Sequence, residues 1–481
     1  MRHSATSAME SIGLVLTLTL LLIIFHKDIE RYKPEFVKKP KNMLLVGVLL
    51  VSNFLLARIF YLLLEGFARG IDFLHPDAVI YGLPLATGAM LAALLIDVHV
   101  AIIIATITSL SAAIWLQDYT YSFYTFIGSI TGAFMVIQCR KRSAVLRAGL
   151  YVSLASLAAA LAVGLLKGTI HTPTGYSALA FSLINGIAVA SMVSMTLPVF
   201  ENAFKITTDI RLVELLDLNQ PLLRSFLLQA PGTYHHSIIV GNLAEAAAEA
   251  VGANPLLARV SAYYHDIGKV KTPDYFIENQ QSMTSRHEKL STTMSGLIIA
   301  SHVKEGVELA RAHNIPEPIV DIISEHHGTS LMTYFYEKAK NLHEPGTPPV
   351  NENDYRYPGP KPQTRVSALV MLADGVEAAS RVLTDPTPAR IAALVNKVTN
   401  KVFLDNQLDE CELTLKDLQR IKNHFTFILT SIFHKRVNYP GMGLDDKSNR
   451  YPEKSRQDRY ETTSTENAKG TESVKIVKGG G

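Results

Sequence analysis

The stretch AYYHDIGK, residues 262–269, decides the reading of this chain. It closes a run of small apolar residues with helical spacing, sets His265 beside Asp266, and stops at Gly268. A histidine and an aspartate adjacent at a helix end can face one pocket together. They then offer an imidazole nitrogen and a carboxylate able to bridge two cations. Such a pair is common on its own, so its meaning rests on the rest of the chain.

Working outward, His236 lies 29 residues earlier, where a helix is expected to open over HSIIVGNLAEAAAEAV, 236–251. His302 sits inside ASHVKEGVELA, and His326–His327 close the helix IVDIISEHHG, with Gly328 expected as its cap. Asp374 lies in the apolar stretch ALVMLADGVEAA. Each residue has an ordinary explanation. His236 suits a helix start, His302 a satisfied core histidine, and His326 and His327 a helix C-terminus that favours positive charge. Asp374 could cap a helix or pair with Arg381. All of these explanations would have to hold together, in the order H…HD…H…HH…D, each group on its own predicted helix. A carboxylate in an apolar run is costly unless paired or metal-bound. Six ligands plus a shared Asp266 suit two octahedral or near-octahedral sites with positions left for water and substrate.

Further helices are expected at 255–267, 288–312, 316–327, 364–384, 387–404 and 414–434, and no run alternates long enough to make a strand. The soluble part therefore reads as all-α. Residues 201–230 read as connecting helices, with Pro221 at a start and Pro231–Gly232 at a stop. Prolines and glycines make 344–363 a loop or flap, and the polar stretch 441–481 reads as a disordered tail.

The first 200 residues are different. The chain has 481 residues with 46 Lys+Arg and 43 Asp+Glu, but residues 1–200 carry only 14 and 9 of them. Apolar runs occupy roughly 11–26, 43–64, 78–96, 98–116, 122–138, 147–167 and 178–200. Several approach the ~20 residues that cross a bilayer. The run at 122–138 is shorter, contains Gly128 and Gly132, and either crosses or re-enters. Basic residues crowd the loops at 27–42 and 139–147, while the intervening loops hold little beyond Arg69. Positive loops stay in the cytoplasm, so the chain beyond residue 200 is expected inside. The cationic flank follows the first run and no cleavage site does, which reads as a span and not a leader. Arg58, within the second run with Glu65 two turns on, reads as a snorkelling side chain or a functional charge. Cys139 and Cys411 are the only cysteines, which excludes a disulfide framework. A net charge of +3 gives no argument for a nucleic-acid polymer as partner. The expected organisation is a multi-span membrane domain over 1–200, connecting helices over 201–230, an all-helical domain over 231–440 and a tail over 441–481.

The strings PGTYHHS, YYHDIGK, FIENQ, SHVKEGVELA, EHHGT, YRYPGPKPQT and MLADGVEAA together resemble the seven-transmembrane HD proteins, the membrane-bound cyclic di-AMP phosphodiesterases of bacteria. The resemblance spans roughly 11–436. It implies metal ligands at His236, His265, Asp266, His302, His326, His327 and Asp374. His236 is preferred to His235 because SIIV follows it as in the family. The implied split is His236, His265 and Asp374 on one metal, His302, His326 and His327 on the other, and Asp266 bridging. Two divalent metal ions, iron or manganese, are the implied cofactors. Asp266 and Lys269 are the implied catalytic residues, with Lys269 reaching a phosphate oxygen. The activity implied is hydrolysis of cyclic di-AMP to linear pApA at the inner face of a bacterial membrane. A homodimer is left open, and His287 is placed in a loop outside the metal set. The family usually has a large extracellular domain ahead of these spans, where this chain has about ten residues, so the sensed signal stays open. A cyclic di-GMP hydrolase of the HD-GYP type is the first rival, but HHGTSLMTYFYEKA lacks the Gly-Tyr-Pro element. A non-catalytic nucleotide receptor and a transporter are the others.

Overall fold

The computed structural model of the chain describes residues 2–433, apart from 138, 281–285 and 344–348. The expected tail, 441–481, lies outside the described residues. Among the described residues, eighteen α-helices and several short 3-10 turns make up the fold. Among the described residues no strand occurs, and one antiparallel bridge joins Leu331 to Arg356.

The first half holds α1 (Arg2–Tyr32), the short α2 (Pro34–Val37), α3 (Pro40–Arg69), α4 (Thr87–Leu95), α5 (Val98–Leu116), α6 (Thr120–Met135), α7 (Arg142–Lys167) and α8 (Pro173–Phe204). Five segments of the described chain are long and apolar enough to cross a membrane: 40–69, 76–95, 98–116, 142–167 and 173–204. The run at 122–138 becomes the 16-residue α6, and part of the first run, 11–26, carries side chains outside the described set.

The run at 78–96 is not the continuous helix that hydropathy suggests. A 3-10 segment over Pro76–Gly82 precedes α4, and the two are separated at Leu83–Pro84. Proline has no N–H and pushes the residue before it out of the helical region, so the ladder breaks there. Exposed backbone polar groups are not tolerated in hydrocarbon, but a broken helix buried within protein can be. This segment is 83% buried. Asn53 on α3 repairs the break: its Nδ2 donates to Leu85 O at 3.0 Å, and Gly88 N donates to its Oδ1 at 3.0 Å. The two charges within α3 are also settled locally. The Arg58 guanidinium stands 5.5 Å over the Tyr61 ring, and Glu65 pairs with Arg69 at 2.5 Å.

The second half holds α9 (Asp209–Leu215), α10 (Pro221–Gln229), α11 (Pro231–Val251), α12 (Pro255–Tyr264), α13 (Thr292–Ala312), α14 (Glu317–Glu325), α15 (Thr333–Asn341), α16 (Arg365–Ser380), α17 (Pro388–Leu404) and α18 (Leu415–Ile432). Pro231–Gly232, expected as a stop, also opens α11: Pro231 takes the first helical position, where a missing N–H is harmless. His236 therefore sits in the second turn of α11 and does not open it. The helix α15 was not expected, since its apolar residues show no clear stripe. His287, read as a polar loop residue, is buried in a 3-10 turn, with Nε2 bonded to Tyr275 O at 2.8 Å.

Leu212, Leu215, Leu223, Phe226, Tyr264, Ile267, Ile319 and Ile323 form a buried core joining α9, α10, α12 and α14. The turn after α12 packs against α13 so closely that a Cβ on Gly268 would meet the His302 carbonyl oxygen and come within 2.5 Å of Gly306 N. Only glycine fits, and this contact brings the HD pair against the helix carrying His302.

Replacing Asn53 by Leu would leave the Leu85 carbonyl and the Gly88 N–H unpaired in an apolar setting. Thermal unfolding of the detergent-solubilised chain should show a loss of about 1–3 kcal/mol; an unchanged midpoint would show that the break needs no partner.

Candidate metal centre

All seven predicted ligands converge. His236 comes from α11, His265 caps the end of α12, and Asp266 begins the following 3-10 turn. His302 projects from α13, His326 caps α14 with His327 next to it, and Asp374 projects from α16. Gly328 adopts φ +53°, the left-handed end that the sequence suggested. Asp266, His302, His326 and His327 form one group whose donor atoms all lie within 4.8 Å of one another, and His236, His265 and Asp266 form a second. Asp266 belongs to both. Asp374 Oδ1 is 2.9 Å from His236 Nε2 and 3.8 Å from His265 Nε2, and its other oxygen is 3.7 Å from His327 Nδ1. His235, by contrast, is exposed and turns away from the cluster.

The histidines are oriented before any ligand arrives. Nδ1 of His265 bonds Ala262 O at 2.7 Å, Nδ1 of His302 bonds Ile299 O at 2.5 Å, and Nδ1 of His326 bonds Ile323 O at 2.7 Å. Each is a bond to the carbonyl three residues back, so the helix that carries the ring also sets it. His236 Nδ1 bonds instead to the carboxylate of Glu377. Pinning Nδ1 fixes the tautomer and turns Nε2 inward, as the outer partners of metal-binding histidines do. His327 is held differently, by stacking on Tyr357 with centroids 4.2 Å apart and planes at 26°.

Three buried atoms at the centre have no hydrogen-bond partner: His265 Nε2 and both carboxylate oxygens of Asp266. Orphaned polar atoms are scarce in protein interiors, and such groups call for an explanation. Imidazole nitrogens and carboxylate oxygens around one point are the donor set of divalent transition metals, so the residues fit such ions.

The charges within the cluster are balanced among its own residues. Burial alone would raise the Asp266 carboxyl, but His265 and Lys269 hold it well below the usual carboxylate range. Burial would likewise lower the His265 imidazole, yet Asp266 overrides it and pushes the ring up to about 10. His236 is raised against burial by Asp374. His326 falls to about 4 because burial dominates there, and burial with His326 beside it holds His327 down as well. His265 is thus protonated at neutral pH, while His326 is neutral there.

Lys269 Nζ stands 2.7 Å from Asp266 Oδ2 and 3.1 Å from Glu278, with the Phe276 ring 4.9 Å below it. Glu278 and Asn279 reach back to Thr233 at the start of α11, which ties FIENQ to PGTYHHS. The flap also closes onto the site. Tyr357 N donates to Ser330 O, Met332 N donates to Tyr355 O, and Arg356 pairs with Asp405 at 3.0 Å while donating to Thr329 O at 2.8 Å.

Sequence reasoning missed Glu377, Glu278 and Tyr357. Glu377 was legible: it follows Asp374 by three positions, hence on the same helix face. Arg381 pairs with it at 2.7 Å and not with Asp374. Glu278 and Tyr357 lie on irregular segments whose positions no periodicity reveals.

Two outcomes follow. Glu377→Gln should weaken Mn2+ binding roughly 10–100-fold, measured by titration of the purified chain, with little change in melting temperature. Because His265 titrates near 10, it is protonated at neutral pH and must lose that proton to ligate, and His236 is shifted in the same direction. Mn2+ affinity should therefore rise from pH 6 to pH 9 with measurable proton release; a flat profile would contradict this electrostatic picture.

A family profile described as a 7TM receptor with intracellular HD hydrolase matches residues 9–208, and an HD domain profile matches 233–379. The cyclic-di-AMP phosphodiesterase PgpH of Bacillus subtilis is 36% identical over 436 residues, covering 89% of this chain and 60% of that protein. PgpH of Listeria monocytogenes is 36% identical over 437 residues, covering 90% of this chain and 58% of that protein. The chain thus spans about three fifths of the length of these curated relatives. A crystal structure of the L. monocytogenes PgpH HD domain in complex with cyclic-di-AMP aligns with 46% identity and a TM-score of 0.43, over 46% of this chain and 100% of that one. With both profiles in this order, the chain belongs to the family of seven-transmembrane proteins that carry an HD hydrolase domain.

Proposed function

We propose that this chain is a membrane-anchored, metal-dependent phosphodiesterase that hydrolyses cyclic di-AMP to linear pApA. The observation that carries the reading is the set of three partnerless atoms on His265 and Asp266, enclosed by four more histidines and a second carboxylate. His236, His265 and Asp374 would hold one divalent ion, His302, His326 and His327 a second, and Asp266 would serve both. Iron or manganese suits this mixture of imidazole and carboxylate. The PgpH relatives, with which this chain shares its length from the first span to the HD domain, support the substrate.

Ions bound there would supply Lewis acidity, acidifying water and offsetting the charge that builds on a phosphoryl group in transfer. The protein's part is orientation and charge. Backbone carbonyls and Glu377 hold four imidazoles with Nε2 inward. Lys269 stays fully protonated between Asp266 and Glu278, and offers a fixed positive point for a non-bridging phosphate oxygen. Tyr357 and Phe276 form apolar walls that keep bulk water from the histidines. The positive loops support a reading in which the HD domain lies on the cytoplasmic side of a bacterial inner membrane, and domain limits near 1–200, 201–230 and 231–440 go with it.

The test uses the full chain in detergent, loaded with Mn2+ or anaerobically with Fe2+ and given cyclic di-AMP or cyclic di-GMP separately. Cyclic di-AMP alone should be converted to the linear dinucleotide, and Asp266→Ala should abolish turnover and metal loading together. Preference for cyclic di-GMP would overturn the substrate, and full activity of Asp266→Ala would overturn the mechanism.

A further inference from the structure

The membrane half meets the HD pair through one short helix. Residue Thr208 caps α9, accepting from Arg211 N at 3.3 Å, and donates its hydroxyl to Glu201 near the end of α8. On the flank of α9, Glu214 receives a two-point ion pair from Arg142, the first residue of α7: Nε to Oε1 at 2.6 Å and Nη2 to Oε2 at 3.2 Å. Two membrane helices therefore grip α9 from one side.

The other grip comes from the catalytic domain. The last carbonyls of a helix find no partner within it. Here the Leu215 carbonyl is taken by the Tyr264 hydroxyl at 2.9 Å. Tyr264 is fully buried and immediately precedes His265 and Asp266. Both groups of this bond lie in the apolar core with Leu212, Phe226 and Ile267. A buried phenol and a buried carbonyl are each costly to leave unpaired. If α9 shifts against α12, either Tyr264 follows or both groups lose their partner. Nothing intervenes in the chain between Tyr264 and the pair of residues that the two metal groups share.

We infer that Tyr264 is a positioning residue: by capping α9 at Leu215, it makes the placement of His265–Asp266 depend on a helix that Arg142 and Glu201 hold at the membrane. The inference rests on the metal-centre reading of those two residues. It gives the membrane half a physical handle on the site, with no ligand of its own required. By reciprocity, metal binding at Asp266 tightens the hold on α9 by the same factor.

The test is a double-mutant cycle in the full chain reconstituted in nanodiscs. Tyr264→Phe keeps the buried ring and removes only the hydroxyl; Arg142→Gln removes the membrane-side grip at a partly exposed position. Mn2+ affinity, kcat and KM for cyclic di-AMP, and melting temperature are measured for each. Tyr264→Phe should weaken Mn2+ binding about fivefold or more and lower kcat more than it raises KM. Arg142→Gln should weaken Mn2+ binding on its own but add nothing in the Tyr264→Phe background. Mn2+ affinity of Tyr264→Phe within about twofold of the parent, or losses that simply multiply, would overturn the inference. A lowered melting temperature with unchanged Mn2+ affinity would do the same, since that is a structural role alone. A parent chain that binds Mn2+ but leaves cyclic di-AMP intact would overturn the proposed substrate while the Mn2+ cycle still decides this point. A parent that binds no Mn2+ would overturn both.

Discussion

The carboxylate of Asp266 governs the soluble half of this protein. It is 1% exposed, and its oxygens are met by ion-pair contacts, not by hydrogen bonds of good geometry. Burying an ion in that state costs several kcal/mol, so positive or protonatable groups must crowd around it. His265, His302 and Lys269 do so at 3.2, 3.3 and 2.7 Å. That crowding requires the ends of α12 and α14 and the middle of α13 to meet at one spot, and Gly268 lets the turn after α12 approach α13 closely. The same constraint leaves unused lone pairs on an acid and nitrogens beside it, which is what a divalent ion needs.

Metal affinity in such a centre is set as much by the outer partners as by the ligands. Three rings are fixed by carbonyls of their own helices, a device that costs no extra residue; for His265 and His326 these are carbonyls of a helix's last turn. His236 relies instead on Glu377, itself steadied by Arg381. His327 relies on a loop: Arg356 ties the flap to Asp405 and Thr329, and the flap lays Tyr357 on the ring. The two halves of the centre are therefore supported in different ways, one by regular structure and one by an irregular strap.

The membrane half obeys the same rule about buried polar groups with less room to satisfy it. Pro84 breaks a span, and an asparagine from the neighbouring helix supplies both the donor and the acceptor that the break exposes. At the ends that meet α9 the problem reverses: charges are plentiful there, and Arg142 and Glu201 grip α9. A short helix held by Glu201 at its first turn, by Arg142 at Glu214 and by Tyr264 at Leu215 joins the two halves mechanically.

The sequence by itself determined the helical class, the division into an apolar and a polar half, and the histidines and aspartates that converge in the candidate centre. These follow from local rules: hydropathy over about 20 residues, helical spacing, and the improbability of H…HD…H…HH…D arising on separate helices for unrelated reasons. It also singled out His236 over His235, which the structure places in and out of the cluster respectively. Only the tertiary structure decided what supports those side chains. Glu377, Glu278, Tyr357 and Tyr264 act on partners 141, 9, 30 and 49 residues away in the chain. The break at Pro84 needed Asn53 from 32 residues away. A ligand is announced by its own chemistry, whereas a supporting residue is defined by what lies next to it, and spatial neighbours appear only once the chain has packed.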